Sequence, residues 1–156
     1  MARESVWDYP RPPCVEPTER AVRIEFGGQT VAESARALRV LETASPPTVY
    51  VPMVDVRMDL LRALDGERSV CEWKGGASYF DVVVADEVAP AAAWYYPSPR
   101  ERYSVLAEHV SFYPGRVDAA YLGDERVRPQ AGPFYGGWVT DEIEGPFKGD
   151  PGTEGW

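Results

Sequence analysis

Proline and glycine punctuate this chain too closely for long regular helices. Fifteen prolines and fourteen glycines are spread over 156 residues. Each proline removes a backbone donor, and each glycine frees its segment from the usual φ limits. The runs left between them are short, and several alternate apolar and polar residues with period two, as half-buried strands do. Ala21-Val22-Arg23-Ile24-Glu25-Phe26 is one such run. Gly27-Gly28 then makes a favoured hairpin turn, and Gln29 to Glu33 returns as its partner. Ala77 to Val84 turns at Ala85-Asp86 and runs back from Glu87 to Trp94. Val117 to Leu122 crosses Gly123-Asp124 into Arg126-Val127-Arg128. Thr48 to Val51 adds a short strand closed by Pro52. Ala35 to Glu42 has helical composition but little length before Pro46-Pro47, and is assigned to a strand or a single turn.

Two segments carry helical spacing. In Asp55 to Leu64, residues Val56, Leu60, Leu61 and Leu64 mark one face, Asp55 can cap the start and Asp65-Gly66 ends it. In Arg100 to His109, residues Tyr103, Leu106 and Val110 would point inward, with Ser98 as the cap. The expected class is mainly β with one or two short helices. Residues 1–19 read as a proline-rich arm anchored by Trp7 and Tyr9. Residues 20–128 read as a single β-rich domain. Residues 129–156 read as a Gly/Pro-rich tail, and its Phe134, Tyr135, Trp138, Phe147 and Trp156 make it too aromatic for a disordered linker. The tail is therefore expected to dock on the domain.

The net charge of −9 disfavours phosphate backbones and anionic bilayers, so neither nucleic acid nor membrane is an expected partner. No apolar run approaches the roughly eighteen residues of a membrane span. The start lacks an apolar signal core, and the expected compartment is the cytoplasm. Cys14 and Cys71 are too few and too far apart for a disulfide framework or a paired-cysteine zinc site. No metal and no cofactor is expected.

The chemistry concentrates in Cys71-Glu72-Trp73-Lys74-Gly75-Gly76-Ala77-Ser78-Tyr79-Phe80. A glycine pair leads into a strand, so Trp73, Lys74 and Tyr79 can surround one spot, with Lys74 at the mouth of that strand. Ala77 and Tyr79 share a face. Trp94 lies on the returning strand, and its side of the sheet depends on register. The expected ligand-binding set is Trp73, Lys74, Tyr79 and Trp94, with Glu42 or Asp55 orienting the lysine or taking a proton. A hairpin corner with core aromatics is the plainer explanation of the same residues. Lys74 precedes its glycines, the reverse of a phosphate loop. Cys71 is expected to be buried, with Glu72 offsetting any effect of Lys74 on its thiol. His109, the sole histidine, has no relay motif around it. No residue is assigned a catalytic role.

Several phrases together carry a family resemblance. They are Ala37-Leu38 to Glu42, Tyr50-x-Pro52 with Asp55-Val56, Cys71-x-x-Lys74-Gly75-x-Ala77-x-Tyr79, Ala93-Trp94-x-Tyr96-Pro97 and Phe112-Tyr113. Over about residues 20–128 the chain resembles a bacterial and fungal domain-of-unknown-function family sometimes catalogued as nucleotidyltransferase-type. It departs from that pattern at Glu72, where the family often has proline. The resemblance implies a β-tent, or Mss4-like, fold: two antiparallel sheets meeting at an angle around a cleft. The Gly-Ser and Asp-x-Asp elements of a two-metal nucleotidyltransferase are not found in this sequence.

Three functions follow as expectations. The first is a small-molecule-binding domain with an aromatic-lined pocket. The second is a nucleotidyltransferase-type or thiol-based enzyme. The third is a non-catalytic interaction module that forms a homodimer through the arm and tail.

Overall fold

Residues of one parity along each strand face a common core, and those of the other parity face away. A computed structural model describes residues 3–71, 74–131 and 136–148, and for 65–71 the backbone alone. In chain order the strands are β1 (Glu4–Ser5), β2 (Cys14–Pro17), β3 (Val22–Phe26), β4 (Gln29–Ser34), β5 (Leu38–Leu41) and β6 (Thr48–Pro52). There follow β7 (Leu61–Cys71), β8 (Gly75–Val84), β9 (Glu87–Tyr95), β10 (His109–Phe112) and β11 (Ala119–Leu122). Short strands β12 (Glu125–Arg126), β13 (Arg128–Pro129), β14 (Trp138–Val139) and β15 (Ile143–Glu144) complete the set.

The chain is mainly β. A seven-stranded antiparallel sheet runs β2-β5-β6-β10-β9-β8-β7, and a four-stranded antiparallel sheet runs β12-β11-β3-β4. Two small pairs, β1-β15 and β13-β14, flank them, the first parallel. The main core unites Val22, Ile24 and Val31 of the smaller sheet with Val51, Val82 and Phe112 of the larger one. The predicted hairpins at Gly27-Gly28, Ala85-Asp86 and Gly123-Asp124 are all present.

The helix expected over Asp55–Leu64 does not form. Met53–Asp55 and Met58–Leu60 are single 3-10 turns, and Leu61 already begins β7. Pairing across the chain outweighs local spacing. The Arg57 N–H donates to the Val31 carbonyl at 2.7 Å, Val56 bridges Ala32, and Leu61 pairs with Val82 of β8. Helix propensity amounts to tenths of a kcal/mol per residue, which such contacts readily override. Arg100 to His109 shortens likewise to a 3-10 segment at Glu101–Leu106 without a side-chain cap, so Ser98 does not cap it. His109 opens β10 instead. Tyr103, Leu106 and Val110 are buried, as their spacing predicts.

The proline-rich arm supplies β2 at the edge of the large sheet, where Pro17 interrupts no central ladder. Val6, Tyr9, Leu41 and Ile143 form a small separate core beneath it. From the C-terminal segment, the Trp138 N–H donates to the Pro47 carbonyl at 2.7 Å and β15 pairs with β1. Phe134, Tyr135 and Trp156 lie outside the described residues. Among the described residues no helix is long and apolar enough to cross a membrane.

Candidate functional site

One row of directly paired residues crosses five strands of the large sheet. Leu38 pairs with Tyr50, Tyr50 with Ser111, Ser111 with Trp94 and Trp94 with Tyr79. Directly opposed residues share a face, so this row covers the face turned away from the main core. An irregularity in β9 sets the alignment. Between the pairs Val82–Ala89 and Phe80–Ala93, three residues of β9 stand against Asp81 alone. Pro90 falls in this bulge, where a missing donor costs little. Ala91 adopts φ 46°, and its N–H donates to the Asp81 carboxylate at 2.8 Å. Arg62 holds the other oxygen of that carboxylate at 2.6 Å. Burial works against the ionised Asp81, yet the Ala91 N–H and the Arg62 guanidinium keep its carboxyl below the usual range. The extra pair of residues preserves parity and moves Trp94 along to oppose Tyr79.

A cavity of about 220 Å³ opens on this face. Tyr50, Tyr79, Trp94, Tyr96 and Tyr113 form its walls. The Trp94 ring lies 4.5 Å from that of Tyr113 and meets Tyr50 edge-on at 6.1 Å. Such geometries stabilise aromatic pairs by about 0.5–1.5 kcal/mol beyond their buried area. The Trp94 indole N–H donates to the Tyr50 hydroxyl at 3.3 Å. Burial pushes the Tyr113 phenol above the ordinary tyrosine range, and the hydrogen-bonded Tyr79 adds to the shift. The Arg116 guanidinium stacks 4.0 Å over the Tyr113 ring and donates to the Ala91 carbonyl, tying the wall to the bulge.

Among the described residues, Lys74, Lys148 and Glu42 are the charged ones of the lining. Lys74 is only 8% exposed, so it lies within the protein surface rather than reaching into solvent at the mouth of its strand. Gly75 next to it adopts φ 111°, a conformation that favours glycine. The Lys74 carbonyl accepts from the Arg100 N–H at 2.9 Å, fixing this corner against the loop after β9.

Of the residues singled out by sequence, Lys74, Tyr79, Trp94 and Glu42 line this cavity. Asp55 is elsewhere. It accepts from the Ser34 hydroxyl and two Arg36 nitrogens at 2.7–2.8 Å, which hold its carboxyl down at about 2. Trp73 and Glu72 lie outside the described residues, as does the Cys71 side chain. His109 Nδ1 meets the Ala107 carbonyl at 2.9 Å.

Sequence reasoning missed the far wall. Gly136 lies so close to Trp94 that a Cβ there would meet the ring at 2.2 Å. Gln130 is buried, accepts from the Gly137 N–H at 3.1 Å and donates to the Lys148 carbonyl. Lys148 is thereby brought to the cavity, with its own N–H on the Ala44 carbonyl at 2.7 Å. One signal could have found it: Lys74 and Lys148 are the only lysines among sixteen basic side chains.

A larger cavity of about 580 Å³ lies near the edge of the same sheet, floored by Val49, Leu122 and Trp138. Arg39 there pairs with Glu4 and Glu16, and Arg20 with Glu125 and Glu142. Among the described residues no three His, Cys, Asp or Glu side chains gather where they could hold a metal ion.

A family model described as a domain of unknown function (DUF427), labelled as nucleotidyltransferase-type, matches residues 14–123. The chain belongs to this family. The DUF427 match runs from β2 to just past β11 and includes Lys74, Tyr79, Trp94 and Glu42. Gln130, Gly136 and Lys148 lie beyond it, so the cavity combines the DUF427 region with the segment that follows. No curated protein matches the chain.

Proposed function

We propose that this domain binds a small, partly planar molecule in the aromatic cavity on the outer face of the large sheet. The carrying observation is the convergence of Tyr79, Trp94 and Lys74 on one concave space of about 220 Å³. Drug-sized ligands occupy roughly 300–1,000 Å³, so the guest would be smaller. A flat ring lying against the aromatic wall would gain on the order of 1–3 kcal/mol, if stacking of nucleic-acid bases is a fair guide. Lys74 would add a charge-assisted hydrogen bond, with Glu42 orienting it. We propose the β-tent architecture that the resemblance implies, which is compatible with the two large antiparallel sheets.

The test follows the Trp94 indole N–H in proton–nitrogen correlation spectra during titration with a library of ring-bearing fragments. That resonance is identified by its loss in Trp94→Phe. Saturable shifts that disappear in Tyr79→Ala, with the rest of the spectrum unchanged, are expected. A library that leaves the resonance unmoved at millimolar concentration would overturn the proposal.

A further inference from the structure

We infer that the larger cavity, of about 580 Å³, is a second binding site and takes a small organic amine, a protonated amino group on an apolar body. Among the described residues it shares none of its lining with the aromatic cavity. Its volume falls within the roughly 300–1,000 Å³ of small-molecule pockets. Strand register places it. Glu16 pairs with Arg39 and Arg39 with Val49, so one row crosses β2, β5 and β6 on a single face. Val49 belongs to the main core, so this is the core face of the large sheet. The row is apolar at Val49 and charged at Arg39 and Glu16. The core therefore ends between β6 and β5, and the cavity begins there. Leu122 of the smaller sheet and Trp138 of β14 complete its apolar floor.

The polar part of the lining favours a cation. Arg39 donates to both oxygens of Glu4 at 3.0–3.1 Å and to Glu16 at 2.7 Å. Arg20 donates to Glu125 at 3.1 Å and to Glu142 at 2.9 Å. Each guanidinium is committed between two carboxylates and holds them in place. Among the described residues Glu4, Glu16, Glu19 and Glu142 line the cavity against Arg20 and Arg39, an excess of two negative charges. A concave site of one sign with low-dielectric walls concentrates ligands of the other sign. A further group points to a guest. Thr140 lines the cavity and is 2% exposed, and among the described residues its hydroxyl makes no hydrogen bond. Only the Ser111 hydroxyl is, among those residues, both sealed from solvent and unpaired, so the Thr140 oxygen is unpaired but open to the cavity. A hydroxyl on so buried a residue is seldom left without a partner. An ammonium carries three donors and no acceptor. It can donate to that oxygen and to the carboxylates while its apolar body lies on Val49, Leu122 and Trp138.

The experiment titrates the full chain with phenethylamine, with its neutral isostere phenethyl alcohol and with the anion 3-phenylpropanoate. Binding is read at the Trp138 indole N–H, identified by its loss in Trp138→Phe, while the Trp94 indole N–H reports on the other cavity. Phenethylamine is expected to shift the Trp138 resonance saturably. It should bind at least about tenfold more tightly than the alcohol, the difference between a charge-assisted and a neutral hydrogen bond. 3-Phenylpropanoate should bind more weakly than either. The double variant Glu19→Gln, Glu142→Gln removes the two excess charges and should abolish most of the preference for the amine. Glu19→Gln alone, at an exposed position, should remove part of it. The dispersion of the spectrum confirms that each variant is folded. Equal binding of amine and alcohol, or tighter binding of the anion, would overturn the amine inference. An undiminished preference in folded Glu19→Gln and in the folded double variant would do so as well. A Trp138 resonance unmoved by all three probes at millimolar concentration would overturn the site itself, whatever happens at Trp94.

Discussion

Trp138→Ala is expected to destabilise the protein severely, because the residue joins the C-terminal segment to the main core. Trp138 is 1% exposed and packs in the cluster shared by the two large sheets. Its indole N–H donates to the Phe112 carbonyl at 3.0 Å, in the middle of the large sheet. Removing a buried tryptophan typically costs about 3–5 kcal/mol. The Phe112 carbonyl also loses its indole donor, worth about 1 kcal/mol more. Each kcal/mol lowers Tm by about 2–4 °C at this chain length, so a fall of roughly 8–24 °C is expected. Trp138→Phe keeps most of the ring and loses the donor, and should cost about 1–2 kcal/mol. Urea unfolding followed by circular dichroism and by fluorescence gives both values, and coincident transitions justify a two-state treatment. A loss below about 1 kcal/mol for Trp138→Ala would refute the reasoning, since surface sites give changes of that size. The C-terminal segment would then not be part of the cooperative fold.

Three further outcomes are expected. Gly136→Ala places a methyl 2.2 Å from the Trp94 ring; it should shift the Trp94 indole resonance and cost about 1–3 kcal/mol in urea unfolding, as overpacking does. The Asp55 carboxyl, held by Arg36 and then Ser34, should titrate near 2 when followed by carbon NMR. Its folded pKa lies below the unfolded value near 3.9, so its contribution is present above that pH and lost as pH falls towards 2; Asp55→Asn should flatten the acid limb of the stability curve. Asp81 has the same sign, its carboxyl kept low against burial by the Ala91 N–H and Arg62. Asp81→Ala should destabilise more than an exposed ion pair would, by about 1–3 kcal/mol, because the Ala91 N–H in the bulge loses its acceptor.

The sequence alone determined what local rules govern. Period-two runs at Val22–Phe26 and Ala77–Val84, with turns at Gly27-Gly28 and Ala85-Asp86, marked the hairpins because alternation and turn chemistry act within a few residues. Lys74, Tyr79 and Trp94 could be picked out because chemistry-bearing side chains cluster around one glycine-led hairpin. The tertiary structure decided everything that depends on distant partners. The spacing of Val56, Leu60 and Leu61 is helical, but bonds to Val31, Ala32 and Val82 turned that segment into 3-10 turns and strand. The facing of Trp94 depended on register, and the register depended on a bulge whose Asp81 must meet Arg62 from another strand. Asp55 went to Ser34 and Arg36 instead of the cavity. Lys148 joined Lys74 only because Gln130 and Trp138 fold the C-terminal segment back across the large sheet. Contacts of such long sequence separation have no local signature, because the entropy lost in closing their loops is recovered only when the whole sheet assembles.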